Sequence, residues 1–272
     1  MVFSSYISWD DLKVEGENLQ PQNAAEAKRV IVVDQTGKGD CLTVQAAVDM
    51  VPHHNPHRLK IYILPGLYRE KVNVPASKPY VSFIGDPERA EATVIVWHNR
   101  ASDVDENGGS QDTLLDESGT HFFYKCLVQG SIDFIFGSAR SLYMECTFSV
   151  IGESFAIAAQ RRDTANDDGV FSFVNCTIQG GGGGGVLLGR AWGDYSRVVY
   201  SYSELDIDVK PQGWDDWGKP SRQKTVLFGE YKCRGKGADR RGRAAWSKAL
   251  THHEAQPYLH LTFISANQWL RL

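Results

Sequence analysis

The sequence predicts an all-β fold of the parallel β-helix type, a solenoid of short strands with one short helix near its N-terminal end. Three observations predict it. Short runs rich in Val, Ile, Phe and Tyr alternate with turns along most of the chain, as strands should. Three of these runs, FFYKCLVQG, LYMECTFSV and FSFVNCTIQG, share an aromatic position followed by Cys and more apolar residues, with Cys126, Cys146 and Cys176 spaced 20 and 30 residues apart. No helical signal separates these three runs from one another. Irregular repeats of this length stack as coils, each setting like residues above like. A β-sandwich also uses many short strands, but gives no reason for a repeated cysteine column.

Taken in order, residues 1–28 read as an N-terminal arm and 29–272 as a single β-helix domain with a C-terminal cap. RVIVVD (29–34) is the first strand. TVQAAVDMV (43–51) is the helix: Val44, Ala47, Val48 and Val51 follow a helical period, Thr43 is placed to cap it and Pro52 to end it. Further strands are KIYILPG (60–66), KVNV (71–74), YVSFIGD (80–86), ATVIVWH (92–98), HFFYKCLVQG (121–130), SLYMECTFSV (141–150), FSFVNCTIQG (171–180), GVLLGRAW (185–192), RVVYSYSEL (197–205) and TVLFGEY (225–231). GGGGGG at 180–185 opens no helix and reads as a flexible turn.

Bulk properties narrow the function. The 272 residues are 42% hydrophobic and 23% charged, with a formal net charge of −4. Nothing in that balance favours nucleic acid or an anionic membrane. The basic run KCRGKGADRRGR (232–243) reads as a solvated loop. No apolar run approaches the roughly 20 residues that span a bilayer, and the start lacks the basic-then-apolar order of a signal peptide. The five cysteines form no C-x-x-C pair, against a zinc ribbon or thioredoxin-like chemistry. Asn175-Cys176-Thr177 fits the glycosylation pattern but falls in a strand-like stretch. His53, His54 and His57, in PHHNPH, read as an exposed turn. There is no G-x-S-x-G, H-E-x-x-H or Walker sequence.

The candidate chemistry lies in two apolar settings, QDTLL and SIDFIFG, whose Asp112 and Asp133 are 21 residues apart. That is a plausible coil, and neighbouring strands lie about 4.7–4.9 Å apart. Two carboxylates so stacked cannot comfortably both ionise, and an acid beside a carboxylate is a tool for hydrolysis. An Asp after a strand also serves as a turn residue or cap. Arg190, in LLGRAW beside Trp192, is suited to hold one carboxyl ionised. Trp214 and Trp217, in GWDDW, offer platforms for sugar rings, although core packing is the commoner use of Trp.

Together QDTLL (111–115), GSIDFIFGSARSLY (130–143), AIAAQRRD (156–163), LLGRAWGDYSRVVY (187–200) and GWDDW (213–217) resemble the pectin methylesterases (pectinesterases), most closely those of plants. The resemblance extends upstream through KGDCLTVQAAVDMVP (38–52) and LPGLYREKVNVPASKPYVSFIGD (64–86), and ends at QWLRL (268–272). It implies a right-handed parallel β-helix. Asp133 matches the nucleophile, Asp112 the general acid/base, Gln111 an oxyanion-stabilising glutamine and Arg190 the arginine that orients the nucleophile. Phe134, Phe136 and Trp192 resemble groove-lining residues, extended by Trp214 and Trp217. The implied reaction is hydrolysis of galacturonate methyl esters, releasing methanol, and needs no metal or organic cofactor. The implied partners are methyl-esterified homogalacturonan and a proteinaceous pectinesterase inhibitor, and the implied form is a secreted monomer of the cell wall.

The pattern breaks before Gln111. Only NRASDVDENGGS (99–110) joins VIVWH to QDTL, where the family pattern has roughly two to three more coils. A strand resembling Gln-Ala-Val-Ala-Leu-Arg, with a second oxyanion glutamine, does not occur in the chain. Ser138 stands where the family usually has Asn, and Cys146 and Cys176 fall at positions that are disulfide-linked in some relatives. The break opens a second reading, a catalytically impaired pectin-binding protein. A glycan-cleaving β-helix enzyme and a chain too short to fold stably are further alternatives.

Overall fold

A computed structural model describes residues 30–86, 92–96, 112–152, 155–181 and 184–266. The chain winds as a right-handed parallel β-helix of repeating three-strand coils. β1 (Val30–Val33) starts the stack. The next coil is β2 (Leu59–Ile63), β3 (Gly66–Arg69) and β4 (Val72–Val74). Then come β5 (Val81–Ile84), β6 (Thr93–Val96) and β7 (Leu114–Asp116), followed by β8 (Thr120–Tyr124), β9 (Leu127–Gly130) and β10 (Ile135–Gly137). Above these are β11 (Arg140–Met144), β12 (Thr147–Val150) and β13 (Ala156–Gln160), then β14 (Val170–Val174), β15 (Thr177–Gly180) and β16 (Leu187–Ala191). The last full coil is β17 (Arg197–Ser201), β18 (Glu204–Asp206) and β19 (Trp214–Asp215), and β20 (Leu227–Tyr231) and β21 (Lys248–Ala249) finish it. Successive coils pair in parallel, giving one nine-stranded and two six-stranded sheets.

The runs that read as single strands bend once inside each run. HFFYKCLVQG, SLYMECTFSV and FSFVNCTIQG each split into two strands, at Lys125 (φ 51), Glu145 (φ 53) and Asn175 (φ 53). RVVYSYSEL does the same at Tyr202 (φ 54). One left-handed residue turns the chain from the nine-stranded sheet into its neighbour. The residue after each corner points inward, so Cys126, Cys146 and Cys176 are buried in adjacent coils, with Ser203 next in line. All five cysteines, including Cys146 and Cys176, are free thiols.

The repeated aromatic position also forms a column. Phe83, Phe123, Tyr143, Phe173 and Tyr200 stack face to face with ring centroids 4.5–4.8 Å apart and planes within 13°. Each contact adds to the area burial of its ring, by about 0.5–1.5 kcal/mol.

The first coil is capped by a helix, and one outer face of the solenoid is covered by the C-terminal segment. The helix α1 (Val44–Met50) buries Val44, Ala47 and Val48 over the first coil. Thr43 caps it by accepting from the Ala46 N–H, and Glu70 accepts from the N–H groups of Val44 and Gln45. Toward the C-terminus α2 (His252–Ala255) and the 3-10 turns after it lay Leu259, Leu261 and Ile264 on the outer face of the nine-stranded sheet. That cover is why β8 and β14 are buried on both faces and show no alternation.

The basic run 232–243 is only partly solvated, against expectation. Arg240 and Arg243 converge on buried Glu230, with Arg243 Nε 3.0 Å from Oε1, because the acid there has no access to water. His53, His54 and His57 lie in an exposed turn, as read. Gly180, Gly181, Gly184 and Gly185 all have positive φ, consistent with a turn.

Across residues 97–111, which fall outside the described residues, the ladders stay in register. β4 pairs with β7 (Val72 opposite Leu114) and β6 with β9 (Val94 opposite Leu127). A coil stack shortened by whole turns can close in this way, because each coil contacts only its neighbours.

Candidate active site

The site lies on the sheet formed by β4, β7, β10, β13, β16 and β19. Asp112 and Asp133 occupy equivalent corners, two residues ahead of the paired Leu114 and Ile135. Both are left-handed, at φ 59 and φ 48. Asp tolerates this conformation better than most side chains. The corners are pinned by the Asp112 N–H donating to the Ile132 carbonyl at 3.1 Å and the Asp133 N–H to that of Ala156 at 2.7 Å. The spacing of 21 residues therefore is one coil, and the two carboxylates are stacked neighbours. Gly137 (φ 133) lets β10 approach β7, since a Cβ there would meet the Asp116 carbonyl oxygen at 1.9 Å.

Arg190 grips Asp133 from two coils above. Its Nε lies 2.9 Å from Oδ1 and 3.0 Å from Oδ2, and its Nη2 donates to Oδ2 as well. The coil between carries only Ala159 at the position paired with Arg190, which leaves room for the guanidinium to reach down. The ring of Trp217 covers that guanidinium at 3.6 Å, and the ring of Phe155 lies 5.1 Å from it.

The two carboxyls differ in setting. Asp133 is nearly buried, with its side chain 4% exposed, whereas that of Asp112 is 27% exposed. Burial pushes Asp133 above the ordinary carboxylate range, the Arg190 hydrogen bonds and charge pull it down, and Asp112 and Asp215 push it up. Burial pushes Asp112 up too, against the pull of Lys71 and Arg190. The guanidinium fork favours the anionic form of Asp133, whereas Asp112 has the single, longer contact of Lys71.

Of the five aromatics expected along the groove, Phe136 and Trp192 border a cleft whose lining does not include Asp112, Asp133, Arg190 or Trp217. The two are tilted against each other at 6.2 Å and line that cleft of about 480 Å³ with Arg161, Glu117, Asp163 and Asp167. Trp217 is exposed and stacks on Arg190. Phe134 and Trp214 do not line the groove. Phe134 is fully buried against Phe148, and Trp214 is stacked on Phe228 at 4.8 Å in the core. Gln111 lies outside the described residues.

Sequence reasoning missed Lys71, whose Nζ is 3.8 Å from Asp112 Oδ2, and Phe155 and Asp215 beside the Arg190–Asp133 pair. Long-range coil stacking brings these to the site; Asp215 lay within the quoted GWDDW, but nothing local marked Lys71 or Phe155. Arg161, over the Trp192 ring at 5.3 Å, was legible as part of AIAAQRRD.

The family model described as Pectinesterase matches residues 30–107 and 103–267, two blocks that overlap at 103–107, ahead of Gln111. Pectinesterase QRT1 of Arabidopsis thaliana is 43% identical over 346 residues, covering 98% of this chain and 90% of the relative. That alignment is longer than the 272 residues of the chain, so the relative carries segments the chain lacks. Putative pectinesterase 11 of the same plant is 38% identical, covering 89% of this chain and 81% of the relative. Among solved structures, a pectin methylesterase from carrot superposes with a TM-score of 0.65 at 25% identity, over 92% of this chain and 97% of its own.

Proposed function

The chain belongs to the pectinesterase family, and from that membership and the geometry of the site we propose that it hydrolyses methyl esters of galacturonate units in pectin, working in the cell wall. The observation that carries the reading is the stacked Asp112–Asp133 pair with Arg190 forked onto Asp133. Ionised Asp133 attacks the ester carbonyl carbon, and the carbonyl π electrons move onto oxygen. Gln111, adjacent in sequence to Asp112, is assigned to that oxyanion. Collapse breaks the C–OCH₃ bond as Asp112 gives its proton to the departing methanol oxygen. Asp112, now a carboxylate, takes a proton from water, hydroxide adds to the acyl carbon, and Asp133 leaves as a carboxylate back onto Arg190. Phe136, Trp192 and Trp217 offer apolar faces to the sugar rings on either side.

The test is methanol release from highly methylated pectin, with reducing ends counted in the same samples. The expected result is methanol with no new reducing ends. Reducing ends without methanol would assign a glycan-cleaving enzyme. Retention of pectin by folded protein without either product would assign the impaired pectin-binding reading.

A further inference from the structure

Lys71 stands at the corner immediately ahead of β4, on the coil next to β7. Its Nζ lies 3.8 Å from Asp112 Oδ2 and 5.2 Å from the centroid of the Phe136 ring, so it enters the groove between the acid pair and the aromatic wall. The direct β4–β7 pairing puts it there. With its side chain 42% exposed, the ion pair adds little to stability. Its position matters for the charge of the reaction instead.

Resting on the esterase reading above, we propose that Lys71 is a positioning residue for the acid/base step, the counter-ion that receives Asp112 as a carboxylate once its proton has gone to methanol. Charge accounting through the cycle supports this. Before attack, Arg190 balances Asp133. After acylation Asp133 is neutral, Asp112 has become the anion, and Arg190 is directed at Asp133. Lys71 then faces the new charge. By favouring the carboxylate it makes Asp112 a stronger acid toward the leaving oxygen and holds it in place as base for water. The charged groups facing Asp112 are Lys71 ahead of β4, Asp133 ahead of β10 and Arg190 on β16, with Asp215 on β19 acting on Asp133. Among the described residues Lys71 and Arg190 are the cations acting on Asp112, and Arg190 is forked onto another acid.

Lys71→Met and Lys71→Arg test the assignment, with methanol release followed against pH and the Asp112 carboxyl titrated by carbon NMR in the resting protein, assigned with Asp112→Asn. In Lys71→Met, kcat is expected to fall about tenfold with KM held. The alkaline limb of kcat/KM and the Asp112 midpoint should both move to higher pH. Lys71→Arg should restore all three. Unchanged kcat, or a fall in kcat without a shift of the Asp112 midpoint, would overturn the proposal. Wild-type protein that releases no methanol would overturn the esterase reading and the counter-ion role with it, while the NMR titration still reports whether Lys71 and Asp112 are coupled.

Discussion

Arg190 holds Asp133 through a fork, with Nε 2.9 and 3.0 Å from the two carboxylate oxygens, while Trp217 covers the guanidinium from the other side. A planar donor set and a flat face are both used, and lysine has neither. Arg190→Lys keeps the charge, yet should lower kcat by ~10²-fold, a loss comparable to that of an oxyanion donor, with KM nearly unchanged. Steady-state methanol release measures it. Equal kcat would show that charge alone suffices.

Burial raises both Asp112 and Asp133 above the ordinary carboxylate range. A carboxyl whose folded pKa is raised binds more protons in the native than in the unfolded state. Stability therefore falls as pH rises from the unfolded pKa through the folded one, and is flat beyond it. Asp112→Asn should be more stable than wild type at neutral pH, with the gap closing as pH falls below the ordinary carboxylate range. Thermal midpoints across pH test this. A gap that widens on acidification would contradict the burial argument.

Two tryptophans, Trp214 and Trp192, should behave oppositely. Trp214→Ala empties a core position stacked on Phe228 and removes a donor to Glu230, at a cost of about 3–5 kcal/mol in urea unfolding. Trp192→Ala should leave the fold nearly unchanged and raise KM for pectin about fivefold, the equivalent of ~1 kcal/mol of ring contact.

Asp116 is fully buried beneath the site, accepting from Tyr143 Oη at 2.7 Å and lying 2.6 Å from His121 Nδ1. Tyr143→Phe leaves that acid short of a donor and should cost ~1–3 kcal/mol of stability. Its effect belongs to the coil stack rather than the groove, so kcat of the folded variant should match wild type.

Much of this was legible in the sequence because a solenoid writes its period into the chain. The Cys126–Cys146–Cys176 spacing marked the coils, and the aromatic position before each cysteine marked the ring column. The helix and its Thr43 cap followed from local rules. The corners were not legible, because Lys125, Glu145, Asn175 and Tyr202 take left-handed φ without glycine, and nothing in their composition announces it. Trp214 and Trp217 sit three residues apart in one loop-like motif, yet one packs inward and the other covers Arg190. Lys71 read as the edge of a strand; only the pairing of β4 with β7 carries it to Asp112.

The measurement that bears most directly on the account is methanol release from highly methylated pectin by wild type and by Asp133→Asn, with circular dichroism showing both folded. Asp133 is the group that Arg190 is forked onto, and the amide isostere keeps its shape while removing the carboxylate charge. Release by wild type and its loss in Asp133→Asn are expected. Equal release by the two proteins would contradict this.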